Sequence, residues 1–202
     1  MPENSVYGGW PTSGEIDILE TRGNAGLDCN GNEAGRRCAQ STIHYGPSSS
    51  YKTYESFENC LPDGTDLTDG FHKYAFEWTP TGIHTYIDGN QVLGVDAPFH
   101  GFFEKGGFQG ENPWENSESA LAPFDQEFYI IINLAVGGDY FPDGCWNSGG
   151  IQKPWNFGQD GNSQRRSYWW GGKEYRNEDH ESLVSWRDSR FVVKEIKVFD
   201  YE

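Results

Sequence analysis

Glu15, Asp17 and Glu20 lie in the stretch Gly14-Glu15-Ile16-Asp17-Ile18-Leu19-Glu20, which opens with acidic and apolar residues alternating at period two. That is the period of a strand with one wet and one buried face, so Glu15 and Asp17 share the wet face while Ile16 and Ile18 point into a core. Strict alternation would then expose Leu19 and bury Glu20, and a buried carboxylate without partners is costly. One extra residue at Ile18–Leu19, a β-bulge, returns Glu20 to the face of Glu15 and Asp17. The expectation is therefore a kinked strand presenting its carboxylates in one row. Across four ladder steps the Cα atoms of Glu15 and Glu20 stand about 13 Å apart. On a concave sheet their side chains can converge to the ~5–5.5 Å of a retaining glycosidase pair, and spacing alone also permits the ~6.5–9.5 Å of an inverting one. Asp17, shorter and between them, is suited to sharing a proton or hydrogen bond with a neighbour, because like charges this close resist joint ionisation. Two plainer readings stand beside this one. The row is an acidic, solvated strand face, or it is a hard-cation site of oxygen ligands, a geometry that one straight strand serves badly.

Trp10-Pro11-Thr12-Ser13-Gly14-Glu15-Ile16-Asp17-Ile18-Leu19-Glu20 resembles the active-site strand of glycoside hydrolase family 16, in its bulged, laminarinase-like branch. The resemblance implies a β-jelly-roll that hydrolyses glycans internally with retention. It assigns Glu15 as nucleophile, Glu20 as general acid/base and Asp17 as the assisting carboxylate. All of these are intact, unlike in the glucan-recognition relatives of the family that have lost the catalytic glutamates. Asn112-Pro113-Trp114-Glu115-Asn116 and Ala122-Pro123-Phe124-Asp125 are similar to animal-type laminarinases and to their non-catalytic relatives, and Lys153-Pro154-Trp155 also matches the family. Family members carry several strands before the acidic one, which here begins at residue 15. The resemblance thus implies an N-terminally truncated jelly-roll, a single catalytic domain over residues 1–202 lacking its first strands. Many relatives bind a structural calcium partly through an aspartate in the last strand. Lys194 holds that place here and is no calcium ligand, so no metal and no other cofactor is expected.

Three further residues are candidate substrate contacts. Trp10 stands beside the acidic strand, where a flat indole suits the axial C–H face of a pyranose; a core role is the alternative. His44, in the short strand Ser41-Thr42-Ile43-His44-Tyr45-Gly46, matches a cleft-lining histidine of the family. Trp114 is a second stacking surface or a packed loop residue.

A chain of 202 residues fits one domain with a sizeable core. Aromatics at 16%, with 26 glycines and few helix-favouring runs, favour an all-β fold rich in turns. A net charge of −16 argues against nucleic acid or an anionic membrane as partner, and no stretch reaches the apolar length of a membrane span. An acidic surface suits a neutral polysaccharide without selecting one. Cys29, Cys38, Cys60 and Cys145 lack the close-pair spacing of zinc or thioredoxin-like sites, which favours disulfides and an extracellular, secreted setting. Three pairings are open; Cys29 with Cys38 would close a local Gly/Asn-rich loop and leave Cys60 to meet Cys145.

Tyr51 to Phe57 reads as an edge strand. Phe71–Trp78, Ile83–Ile87 and Gln91–Val95 form a β-meander with Asp88-Gly89 at its second turn, in which His72, Trp78 and His84 are scaffold. Residues 98–123 read as a long functional loop. Gln126 to Gly138 reads as a central strand covered on both faces, and Phe191 to Phe199 as the closing strand. The Trp169-Trp170 pair is read as filling a core. The combined expectation is a monomeric, retaining endo-β-1,3-glucanase acting on β-glucan polysaccharide. The alternatives are a non-catalytic β-glucan recognition module, a same-fold hydrolase of mixed-linkage glucan or algal galactan, and a structural sandwich without an active site.

Overall fold

The computed structural model describes residues 1–24, 28–29, 32–33, 35–135, 140, 145–146 and 190–200. Its elements, in chain order, are β1 (Glu15–Thr21), β2 (Asp28–Cys29), β3 (Asn32–Glu33), β4 (Cys38–Ser48), β5 (Tyr51–Cys60), β6 (Tyr74–Thr79), β7 (Gly82–Ile87), β8 (Asn90–Asp96), α1 (Gly101–Lys105) and β9 (Cys145–Trp146). They form antiparallel sheets in the orders β1-β4-β5, β6-β7-β8 and β3-β2-β9. The all-β class is as predicted, with one five-residue helix among the described residues.

The first two sheets pack face to face. Ile43 and Tyr45 of β4 meet Ile83, Leu93 and Val95 of β7 and β8, and the cluster is closed by Phe102, Phe108, Trp114, Leu121 and Phe124. Thr85, buried in the second sheet, donates to Ser41 Oγ of the first at 2.8 Å, so these two hydroxyls between the layers satisfy each other. Within residues 98–123, which the sequence reads as a functional loop, Phe102, Phe108 and Trp114 are buried and lid the core. Among the described residues β5 is an edge strand, as read from its mixed faces. The meander is also as read. Asp88 and Gly89 both take left-handed φ, +50° and +85°, which is the two-residue turn whose twist matches a hairpin. Asp88 also takes the Lys73 N–H and pairs with His72 Nδ1 at 2.7 Å, placing His72 in the scaffold.

Three expectations need correction. The apolar run from Gln126 is no buried central strand where it is described. It is tied to the N-terminal residues by Glu3 N–H to Glu127 O and Tyr129 N–H to Met1 O, around a bridge between Pro2 and Phe128. Beyond it, Ile130, Ile131 and Ile132 are all about half exposed, because no neighbouring strand among the described residues supplies a ladder; 136–138 lie outside the described residues. Residues 191–199 likewise form no strand, and Val198 and Phe199 are exposed. The disulfides pair Cys38 with Cys60 and Cys29 with Cys145, against the local closure of Cys29 with Cys38. Strand register decides this: Cys38 lies opposite Cys60 across β4–β5, and Cys29 opposite Cys145 across β2–β9. Trp169 and Trp170 lie outside the described residues.

Gly14, directly before Glu15, has φ +79°, and a Cβ there would stand 2.7 Å from the Phe124 ring. Gly14→Ala is expected to cost at least the ~1–2 kcal/mol of a left-handed non-glycine residue and to lower the thermal midpoint. Gly9, with open space around its Cα, is the control: Gly9→Ala should shift stability by no more than about 0.5 kcal/mol. Equal melting of the two variants would contradict this account of the turn into β1.

Candidate active site

The ladder between β1 and β4 pairs Glu15 with His44, Ile16 with Ile43 and Asp17 with Thr42, then slips, so that Glu20 pairs with Gln40. Ile18 and Leu19 together oppose Ser41, the bulge expected at that point. The Ser41 hydroxyl donates to Ile18 O at 2.8 Å across it. Glu15, Asp17 and Glu20 therefore share a face with His44, Thr42 and Gln40. Ile16 packs against the main core, and Leu19 against the buried cluster of Ala39, Ile87 and Val92. On β5 the same face continues as Tyr54, Ser56 and Glu58, which lie opposite His44, Thr42 and Gln40.

Each carboxylate has its own donor. Glu15 Oε2 accepts the Trp10 indole N–H at 2.6 Å. Asp17 Oδ2 lies 3.3 Å from His44 Nε2. Glu20 Oε2 accepts the Thr42 hydroxyl at 3.2 Å, and that hydroxyl in turn takes Gln40 Nε2 and exchanges a hydrogen bond with Ser56. The hydrogen bond on Glu15 thus comes from Trp10, and the neighbour with which Asp17 pairs is His44. The loop carrying Trp10 is pinned from behind: Ser13 Oγ donates to Gly8 O, and Gln126 reaches both Val6 N–H and Ser13 O.

Burial is the main force raising the Glu20 carboxyl above the ordinary carboxylate range, with the charge of Asp17 adding to it. The Thr42 hydroxyl and His44 pull it back, and Glu15 raises it slightly. His44 is raised chiefly by its hydrogen bond to Asp17; burial opposes this, and the surrounding acids add to it. Tyr140 also belongs to this neighbourhood. Burial, opposed by the Arg22 guanidinium and reinforced by Glu20, Glu58 and Asp17, pushes its phenol up to about 12. Arg22 lies 4.0 Å over the Tyr140 ring and donates to its carbonyl at 2.8 Å. Sequence reasoning missed Thr42, Gln40, Ser56, Tyr54 and Tyr140. The first four follow from strand pairing once the register is known, whereas Tyr140 carries no local signal.

Of the predicted substrate contacts, Trp10 and His44 stand at the acidic row, their rings 6.3 Å apart. Trp10 is well exposed, with the Lys52 ammonium 4.8 Å from its ring centre. Trp114 is a correction. It is buried with Tyr45, Phe103 and Phe108 around it, and its indole N–H bonds Thr12 O at 2.8 Å. An indole sealed in this way offers no stacking face; it anchors the turn that leads into β1. Glu15, Asp17 and His44 each bring a ligand atom within 4.8 Å of the others, so these are the residues that would meet a cation at this face.

Two measurements test this electrostatic arrangement. Thr42→Val removes a donor to ionised Glu20, so the Glu20 titration midpoint, read from its side-chain carboxyl ¹³C shift, is expected to rise; a fall would contradict the assignment of that bond. His44 has a folded-state pKa above its unfolded value near 6.5. The stability it contributes is therefore fully present below that value and lost as pH rises through the folded pKa. The parent should lose unfolding free energy across that window, and His44→Gln should flatten the loss.

Residues 4–99 match the family model described as "Glycosyl hydrolases family 16". A β-1,3-glucan-binding protein of Penaeus monodon is 40% identical over 161 residues, covering 77% of this chain and 41% of its own length. A glucan endo-1,3-β-glucosidase of Cryptopygus antarcticus is 34% identical over 142 residues, covering 70% of this chain and 44% of its own. The endo-β-1,3-glucanase structure from Pyrococcus furiosus aligns with a TM-score of 0.38 and 29% identity, over 53% of this chain and 36% of that one. The chain spans less than half the length of these curated relatives. With its acidic strand, its all-β sheets and this match, the chain belongs to glycoside hydrolase family 16.

Proposed function

We propose that this chain carries the catalytic strand of a retaining endo-β-1,3-glucanase. The observation that carries the reading is the slipped register that sets Glu15 and Glu20 on one face of β1 with Asp17 between them. In the double displacement, protonated Glu20 donates to the departing glycosidic oxygen while ionised Glu15 attacks the anomeric carbon. Glu20 then deprotonates the water that releases the glycosyl group from Glu15. The two carboxyls need unlike environments, and they have them. Glu20 is half-buried, and burial with the charge of Asp17 raises its carboxyl above the ordinary range, while Glu15 is oriented by the Trp10 indole. Asp17, paired with His44, adds the negative charge that keeps Glu20 protonated to higher pH. Trp10 offers an exposed indole to a sugar ring beside the nucleophile. The linkage preference rests on the relatives named for β-1,3-glucan. The disulfides support a secreted protein acting on extracellular polysaccharide.

A second reading, a β-glucan recognition module that binds without cleaving, is favoured by the relative named as a glucan-binding protein. Retention of Glu15, Asp17 and Glu20 in one row favours the enzyme. The full-length protein, incubated with laminarin, mixed-linkage glucan and an algal galactan, is expected to release reducing ends fastest from laminarin. Glu15→Gln should lower that rate by at least about a thousand-fold while laminarin binding persists. Binding without turnover by the parent would establish the recognition module instead. Faster release from one of the other glycans would move the substrate assignment.

A further inference from the structure

We infer that Tyr54 on β5 is a glycan-stacking platform, forming a binding subsite for a neutral pyranosyl unit remote from the bond that is cut; this rests on the functional reading above. Tyr54 lies opposite His44, and His44 lies opposite Glu15, so the three form one line across the sheet. Two strand spacings separate the ends of that line, ~10 Å between Cα atoms, which is about the span of two sugar units along a glycan. The line runs perpendicular to the strands, in the direction a polysaccharide takes when it crosses several strands of one face.

Tyr54 is 64% exposed, and its ring is steadied by a tilted contact with His44 at 5.7 Å. Among the described residues its hydroxyl has no hydrogen-bond partner. The neighbouring aromatic on β5 differs. Tyr51 packs edge-on against Phe108 and donates to Gly107 O, so its exposure is explained by its anchoring role. Tyr54 contributes to neither core cluster. An exposed ring there leaves apolar surface in water and adds nothing to either core, whereas the axial C–H face of a pyranose would cover it. With Trp10 at the other end of the line, His44 between the two rings becomes the floor of a groove walled by two aromatics. The Lys52 ammonium already lies against the Trp10 ring, which makes Tyr54 the less encumbered of the two.

The test uses the full-length chain with Glu15→Gln, so that ligand is not consumed, titrated calorimetrically with laminari-oligosaccharides of two to six units. Adding Tyr54→Ala should weaken laminarihexaose binding about five- to ten-fold, the scale of a lost aromatic contact, and leave the biose nearly unaffected. Tyr54→Phe should keep most of the hexaose affinity. The melting midpoint should not move in either variant. Unchanged hexaose affinity in Tyr54→Ala would overturn the inference. So would a Tyr54→Phe loss as large as that of Tyr54→Ala, or failure of the Glu15→Gln protein to bind hexaose at all. If the parent protein proves not to hydrolyse laminarin while Tyr54→Ala still weakens binding, the hydrolytic reading falls and the subsite stands.

Discussion

The extra residue that β1 inserts opposite Ser41 is the constraint on which the site depends. β1 lies on a sheet with one face against a core, so a slip of one residue moves every later side chain to the opposite face. Without the bulge, Glu20 would point into the cluster of Ala39, Ile87 and Val92, and Leu19 would point to water. Burying a leucine is worth about 1.5–3 kcal/mol, and an unpaired buried carboxylate costs several more. Packing therefore enforces the register, and the register puts the acids in a row. The same contact that holds the strand down also aligns the groups that could do chemistry.

Carboxylates this close need donors, and the structure supplies a different one to each. Glu15 has an indole N–H at 2.6 Å, Asp17 an imidazole at 3.3 Å, and Glu20 a neutral hydroxyl at 3.2 Å. The inequality matters more than the count. The half-buried Glu20 has a weak donor and a charged neighbour, and so is held toward its neutral form, whereas Asp17 faces a group whose protonated state its own charge favours. In the proposed reaction this inequality would separate acid from nucleophile by environment rather than by residue type. The core beneath takes part at one remove, since the buried Trp114 indole fixes Thr12 and Phe124 crowds Gly14 at the turn that delivers the strand.

The acidic row was legible in the sequence because period-two patterning breaks at Leu19, and only a bulge satisfies both faces. The meander was legible from Asp88-Gly89, whose left-handed turn leaves little choice. Trp114 was not, because a tryptophan's local sequence does not distinguish a solvent-facing loop from a loop folded back as a core lid. Nor was the disulfide pairing, which depends on which strands become neighbours and not on the distance between cysteines along the chain. The run from Gln126 misled for a related reason. Apolar β-branched residues encode a strand only where a ladder partner exists, and beyond Phe128 the described residues supply none. Tyr54 and Thr42 are visible only after the register is known, since their relation to Glu15 and Glu20 runs across strands.

The claim that the kinked strand presents a working nucleophile can be tested by trapping. Incubation with an activated 2-deoxy-2-fluoro laminaribioside, followed by proteolysis and mass spectrometry, should find a single glycosylated peptide with the sugar esterified to Glu15. Attachment to Asp17 or Glu20, or persistent absence of any adduct on a protein that does hydrolyse laminarin, would contradict the account.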